Sequence, residues 1–258
     1  VTKEEWDECN DASRLLAIFS ELAVASGEYP PSKGQLAICR RFFTPARKFR
    51  LFAIACCRQL SPFLAIPYAR DAVDMAERYV DGQETMESLI DMHEFAEQTF
   101  ATVLNESEPS SPMTLSLAMI LNTLWAEISR HYGNIEGADY IPLNFVSEVI
   151  SQQCSDIYKS PEETSQSSTT GNRYLVGLVR CIFGNPFSPF NLDRANLTSA
   201  VSSFARQMYS TKDFSPMPLL ADALQEAGCT DENVLRHCRG SGPHTKGCFV
   251  VDVILEKG

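Results

Sequence analysis

The sequence predicts an all-α protein, a multi-helix bundle with a compact Cys/His-rich C-terminal segment. Apolar residues recur mostly at three- and four-residue spacing, and almost nothing alternates with period two over a strand's length. Of 258 residues, 44% are hydrophobic and 21% charged, which supplies a real core and excludes wholesale disorder. The last thirty residues gather Cys229, His237, Cys238, His244 and Cys248, three of nine cysteines and two of four histidines.

The helices follow from their caps and stripes. Thr2 with Glu5 has the form of a capping box, and a second helix starts near Asp11 and carries Leu15, Leu16, Ile18, Phe19 and Leu22 until Gly27 and Pro30-Pro31 stop it. Thr44-Pro45 opens a helix to Leu60, with Leu51, Ile54 and Ala55 on one side and Phe49, Phe52 and Cys56 beside them. From Pro67 to Val80 the residues Ala69, Ala72, Val73, Ala76 and Val80 form a stripe, closed by Asp81-Gly82. Further helices fit at about 85–104, 114–132 and 143–158. Asn105–Pro112 and Ser160–Asn172 have too few apolar side chains to offset the entropy of ordering them. The second divides a helical domain 1–158 from a C-terminal helical domain 173–258, with 159–172 as linker or loop. Beyond it lie a short helix through Leu175, Leu178, Val179 and Ile182, a break at Phe183-Gly184-Asn185-Pro186-Phe187, and helices near 198–209 and 216–227.

A net charge of −11 opposes non-specific binding to nucleic acid or an anionic membrane. No run approaches the roughly 18–20 apolar residues of a spanning helix, and the start lacks the order of a signal peptide. The expected location is the cytoplasm, where nine cysteines, an odd number, read as reduced thiols or metal ligands. One asymmetry stands out. Between Tyr29 and Arg70 there are eight basic residues and no acidic one. Arg40, Arg41, Arg47, Lys48 and Arg50 are therefore candidates for docking phosphate or an acidic partner, with Phe42, Phe43 and Phe49 close by for stacking. The competing reading, and the preferred one, is that this face pairs with the acidic remainder of the chain.

Thiolate and imidazole are zinc's preferred donors, and four of them in a tetrahedron make a closed structural site. Thr230 or Asp231 caps a helix that presents His237-Cys238, and Gly240-Ser241-Gly242-Pro243 turns back so that His244 and Cys248 approach. Neighbours on a helix point about 100° apart, so His237 and Cys238 are not expected to bind one ion together. The spacing matches no standard finger, and a packed hairpin with thiols as small buried hydrophobes is the alternative. If 244–252 is helical, His244, Cys248 and Asp252 share a face as base, thiol and carboxylate. Against that, Phe249-Val250-Val251 and Val253-Ile254-Leu255 look like core. The i, i+4 pairs His93/Glu97 and Glu127/His131, and the thiols Cys39, Cys56 and Cys57, are weaker metal candidates. Gly-rich phosphate loops, Gly-x-Ser-x-Gly and His-Glu-x-x-His are absent from the sequence.

Three sets of residues carry a resemblance. They are Thr2-Lys3-Glu4-Glu5-Trp6-x-x-Cys9 with Arg47-Lys48-Phe49-Arg50-Leu51-Phe52-Ala53-x-Ala55-Cys56-Cys57-Arg58, then Ala72-Val73-x-x-Ala76-Glu77-Arg78-Tyr79-x-Asp81-Gly82, and a C-terminal set. The last comprises Phe183-Gly184-Asn185-Pro186-Phe187, Leu219 to Cys229, and His237-Cys238-Arg239-Gly240-x-Gly242-Pro243-His244-x-x-Gly247-Cys248-x-Val250-Val251-Asp252. Together they resemble a bacterial protein family found mainly in planctomycetes, to which no activity is attached. The likeness covers both ends and not about 84–172. It departs at Ile54, where the family tends to have cysteine, at Ser188 (arginine), at Phe249 (tryptophan), and around 24–43, which looks inserted.

The expectation is a non-enzymatic helical interaction or regulatory protein, with zinc or close Cys/His packing near the C-terminus and another protein as partner. Two alternatives stay open. One is a thiol- or metal-dependent hydrolase using His244, Cys248 and Asp252. The other is a nucleic-acid or phosphate-ligand binder using the basic 33–58 stretch.

Overall fold

The computed structural model describes residues 2–25, 46–59, 67–106 and 166–257. Among these residues there are ten α-helices, one short 3-10 turn at Arg194–Asn196, and no strand. The expected helices at 114–132 and 143–158 lie outside the described residues, as do Cys39, Arg40, Arg41, Glu127 and His131.

Local signals set the first elements. Helix α1 (Lys3–Glu8) begins in the expected capping box, with Thr2 Oγ1 accepting from the Glu5 N–H and the Thr2 N–H donating to the Glu5 carboxylate. Trp6 is its one buried side chain and enters the core. Helix α2 (Ala12–Ala25) buries Leu15, Leu16 and Ile18. Helix α3 (Ala46–Gln59) buries Leu51, Phe52, Ile54, Ala55 and both Cys56 and Cys57, so that cysteine pair is packing material. Helix α4 (Pro67–Val80) offers a stripe of Ala69, Ala72 and Ala76, small enough for close approach to α3 on one side and α5 (Met86–Glu106) on the other.

Helix α6 (Gln166–Phe183) joins the two halves. It starts within the segment expected as a linker, and it packs against α2 and α3 as well as against the chain end. At 100° per residue, Leu175, Leu178, Val179 and Ile182 fall on one side and complete the N-terminal core. Gly177 and Cys181, one turn apart, fall on the other side. The second core is built by α7 (Ser199–Thr211), α8 (Met217–Glu226), α9 (Glu232–Arg239) and α10 (Phe249–Ile254) around Val201, Met208, Leu220, Leu224, Leu235, Val250 and Ile254, with Cys181 reaching in from α6. Each such fully buried aliphatic side chain contributes about 1.5–3 kcal/mol relative to exposure.

A buried ionic layer fastens the halves. Arg47 and Lys48, at the start of α3, reach Asp252 of α10 at 2.7 and 2.5 Å. Arg47 also bonds the Tyr209 hydroxyl of α7, and that hydroxyl donates to Asp81, just past α4. Lys246 joins from the loop before α10, 2.8 Å from Asp81 and 3.4 Å from Glu77. Burial alone would raise the Asp81 carboxyl, but hydrogen bonds from Lys246 and Tyr209 and the charges of Lys246 and Lys257 outweigh it and hold it below the usual carboxylate range. Burial and the carboxylates of Asp81 and Asp252 push the Tyr209 hydroxyl up, against the pull of Arg47.

Candidate metal centre

Four ligand atoms converge where α6 meets the chain end. The donors are Cys181, His237, His244 and Cys248, and their atoms all lie within 4.8 Å of one another. Each is delivered by a separate local device. Cys181 projects from the small-residue side of α6. Asp231 caps α9 by accepting from the N–H groups of Asn233 and Val234, which fixes the helix register. In that register Cys238 turns into the second core, fully buried, while His237 turns to the centre with Nε2 3.3 Å from Cys248 Sγ.

The loop after α9 carries the third donor. Gly242, at φ +87°, turns the chain back, and the Gly242–Pro243 peptide is cis. Pro243 then packs against Gly177, where even a Cβ would come within 2.4 Å of its ring. That close approach sets His244 over α6, with Nδ1 3.9 Å from Cys181 Sγ. Its other nitrogen is 3.2 Å from the Gly240 carbonyl, a bond that puts the proton on Nε2 and leaves the Nδ1 lone pair facing the sulfurs. Gly247, at φ +89°, seats against Leu51 and Ile182, and Lys48 donates to its carbonyl at 2.5 Å. Cys248 follows at the start of α10.

Two sulfur–nitrogen pairs have a spacing close to that of a tetrahedral ion's ligands. Bonds of about 2.3 Å to sulfur and about 2.0–2.1 Å to nitrogen place a sulfur and a nitrogen donor about 3.6 Å apart. The observed 3.3 and 3.9 Å straddle that value. Two thiolates and two neutral imidazoles around a divalent ion also sum to zero charge, the condition for burying it cheaply. The sulfurs are 1% and 0% exposed, and the imidazoles, stacked edge to face at 4.8 Å, form the outer wall with Phe249 packed on His237.

Without an ion the groups hold their protons unevenly. Burial would push the Cys248 thiol up, but a hydrogen bond from Cys181 and the charge and hydrogen bonds of His237 and His244 outweigh it and hold the group well below the ordinary thiol range. Cys181, buried and donating to Cys248, is pushed well up. Burial would pull His244 down, yet Cys248 and the Gly240 carbonyl raise it. Cys248 is thus the favoured thiolate, while Cys181 and His244 hold their protons more tightly and would have to release them to an ion.

Three of the five sequence-derived ligands are in this group and two are not. Cys229 belongs to the second core, and the Cys238 thiol is pushed up by burial among core side chains and by neighbouring cysteines. The residue that sequence reasoning missed is Cys181, which reads as one more hydrophobe beside Ile182. Its signal was the Gly177/Cys181 pair, small residues opposite the apolar stripe. The proposed helix over 244–252 begins only at Phe249, and Asp252 gives its Oδ2 to Arg47 and Lys48 rather than to an imidazole. Arg47 and Lys48 likewise leave the docking set, since both are buried among internal carboxylates; Arg50 is partly buried on α3. His93 belongs to no cluster of three donors among the described residues. No disulfide joins any two of the seven described cysteines, and no described helix is long and apolar enough to cross a membrane.

Comparisons with protein-family models, curated proteins and solved structures find no match to this chain.

Proposed function

We propose that the chain is a helical interaction module of the cytoplasm whose C-terminal unit is held by one zinc ion on Cys181, His237, His244 and Cys248, and whose partner is another protein. The convergence of four soft and borderline donors from α6, α9, the following loop and the start of α10 carries this reading. Four protein ligands leave no open position for water or substrate, which favours a structural ion over a catalytic one. The test is elemental analysis of protein purified without chelator. About one zinc per chain is expected, and Cys248→Ser should lose the metal and lower the melting temperature. Metal-free protein with an unchanged melting temperature in Cys248→Ser would overturn it.

A thiol-dependent hydrolase is the second reading, favoured by the imidazole-flanked Cys248. Its burial argues against it, and rapid alkylation of Cys248 in the folded protein would favour it.

A further inference from the structure

We infer that Cys181 and Cys248 are a redox-convertible pair, exchanging the zinc-bound state for a Cys181–Cys248 disulfide when a hydroperoxide reaches the site. The inference rests on the zinc reading above and adds the regulation of that site. The two sulfurs come from elements far apart in sequence, yet lie within 4.8 Å and in one hydrogen-bonded group. Closing to a bond of about 2.05 Å needs less than about 3 Å of travel. The pair is selective for small oxidants, because both sulfurs are essentially unexposed while the partly exposed imidazoles form the outer wall. A folded disulfide-bearing protein is too large to pass them.

A zinc ion held by Cys181 and Cys248 would keep both sulfurs deprotonated and available as nucleophiles. Cys248 Sγ attacks one peroxide oxygen, the O–O bond breaks, and the leaving oxygen takes up a proton, leaving a sulfenic acid on Cys248. Cys181 Sγ then attacks that sulfur, the S–S bond forms, and hydroxide leaves with a second proton as water. Two thiolates have given two electrons to the peroxide, and a site left with two neutral imidazoles and no anionic ligand would no longer hold zinc.

The structural consequence differs between the ligands. The disulfide still ties α6 to α10, since Cys181 and Cys248 belong to those two elements. His237 and His244 would lose the ion and, with the sulfurs oxidised, their thiolate partner, while α9 stays packed in the second core through Val234, Leu235 and Cys238, so the loosening falls on the loop 240–247. Oxidation would therefore turn a four-point staple into a two-point one and leave the loop only its Pro243, Gly247 and Lys246 anchors.

The experiment uses the whole protein with its zinc content measured first, which tests the zinc reading by itself. Hydrogen peroxide is then titrated in while released zinc is read with a chromogenic chelator and the protein by non-reducing peptide mapping. The expected result is zinc release in step with a Cys181–Cys248 cross-link and a mass loss of two hydrogens, faster proteolysis within 240–247, and full reversal by a small dithiol plus zinc. Retained zinc at peroxide levels that oxidise surface methionine would overturn the inference. So would release accompanied by sulfinic acid on either cysteine, or by a cross-link through Cys229 or Cys238. No variant has to fold for any of these outcomes to be read.

Discussion

Replacing Lys48 by methionine separates the two readings of the basic stretch. An exposed docking lysine changed to an apolar residue shifts stability by no more than about 0.5 kcal/mol and shows its loss only in binding. The structure instead puts Lys48 Nζ 2.5 Å from both Asp252 Oδ2 and the Gly247 carbonyl, with the two side chains 10% and 3% exposed. Asp252 Oδ1 accepts no hydrogen bond from the described residues, so among them Asp252 would be left with Arg47 alone. Methionine keeps the packing of the aliphatic stem and removes only the charge and its bonds. Hydrogen bonds involving a charged group are worth about 1.5–3 kcal/mol each, and the relieved cost of burying the ammonium offsets part of the sum. The expected net loss is about 3 kcal/mol, near the lower end for a broken buried pair. In a chain of this size that lowers the melting temperature by about 6–12 °C. Thermal scanning calorimetry of Lys48→Met, Asp252→Asn and the double variant measures it, and the cycle should show coupling above about 1 kcal/mol. A melting temperature within about 1 °C of the parent, with additive single effects, would refute the buried clamp and restore Lys48 to the surface.

Three further outcomes follow from the same geometry. Cys229→Ala and Cys238→Ala should each retain about one zinc per chain while Cys181→Ala does not, so elemental analysis of the three distinguishes packing thiols from ligands. Gly177→Ala gains about 1 kcal/mol of helix propensity, but the new methyl meets the Pro243 ring at 2.4 Å and displaces the His244 loop; a lower melting temperature and roughly tenfold weaker zinc binding in a chelator competition are expected, and a stabilised protein with unchanged affinity would show that the loop is not seated there. Asp81, whose carboxyl is held below its unfolded value, contributes stability that is present above about pH 3.9 and lost as pH falls through the lower folded value; Asp81→Asn should therefore lower stability at neutral pH and flatten the acid limb below about pH 4, as thermal melts across that range will read.

How much of this was legible follows from the range of each interaction. Signals that act within one helical turn were readable: the Thr2 capping box, the Pro67 start and Asp81-Gly82 stop of α4, the Asp231 cap of α9, and the 100° argument that separates His237 from Cys238. The return of the Gly/Pro loop toward Cys248 was readable for the same reason. Partners remote in the chain were not. Lys48 and Asp252 are 204 residues apart, and the sequence shows one basic stretch and a diffuse acidic remainder without saying which carboxylate meets which ammonium. Cys181 was hidden differently, because α6 is buried on two sides and the period that marks its apolar stripe says nothing of what the opposite side meets.

The position of the centre is explained by what it has to hold. Residues 240–247 form no helix beyond a turn, and ordering eight residues costs on the order of 8–16 kcal/mol at about 1–2 kcal/mol each. The loop's own anchors are few: the Pro243 contact with Gly177, the seat of Gly247 on Leu51 and Ile182, and the bonds made by Lys48 and Lys246. A structural zinc site supplies about 10–16 kcal/mol in apparent terms, the same scale as the ordering cost. Neither α-helical core needs the ion, since each buries its own apolar stripe. An ion on these four donors would therefore act on the junction, fixing the loop that delivers Lys246 and Gly247 to the ionic layer, and through that layer it would bear on how the two halves are held together.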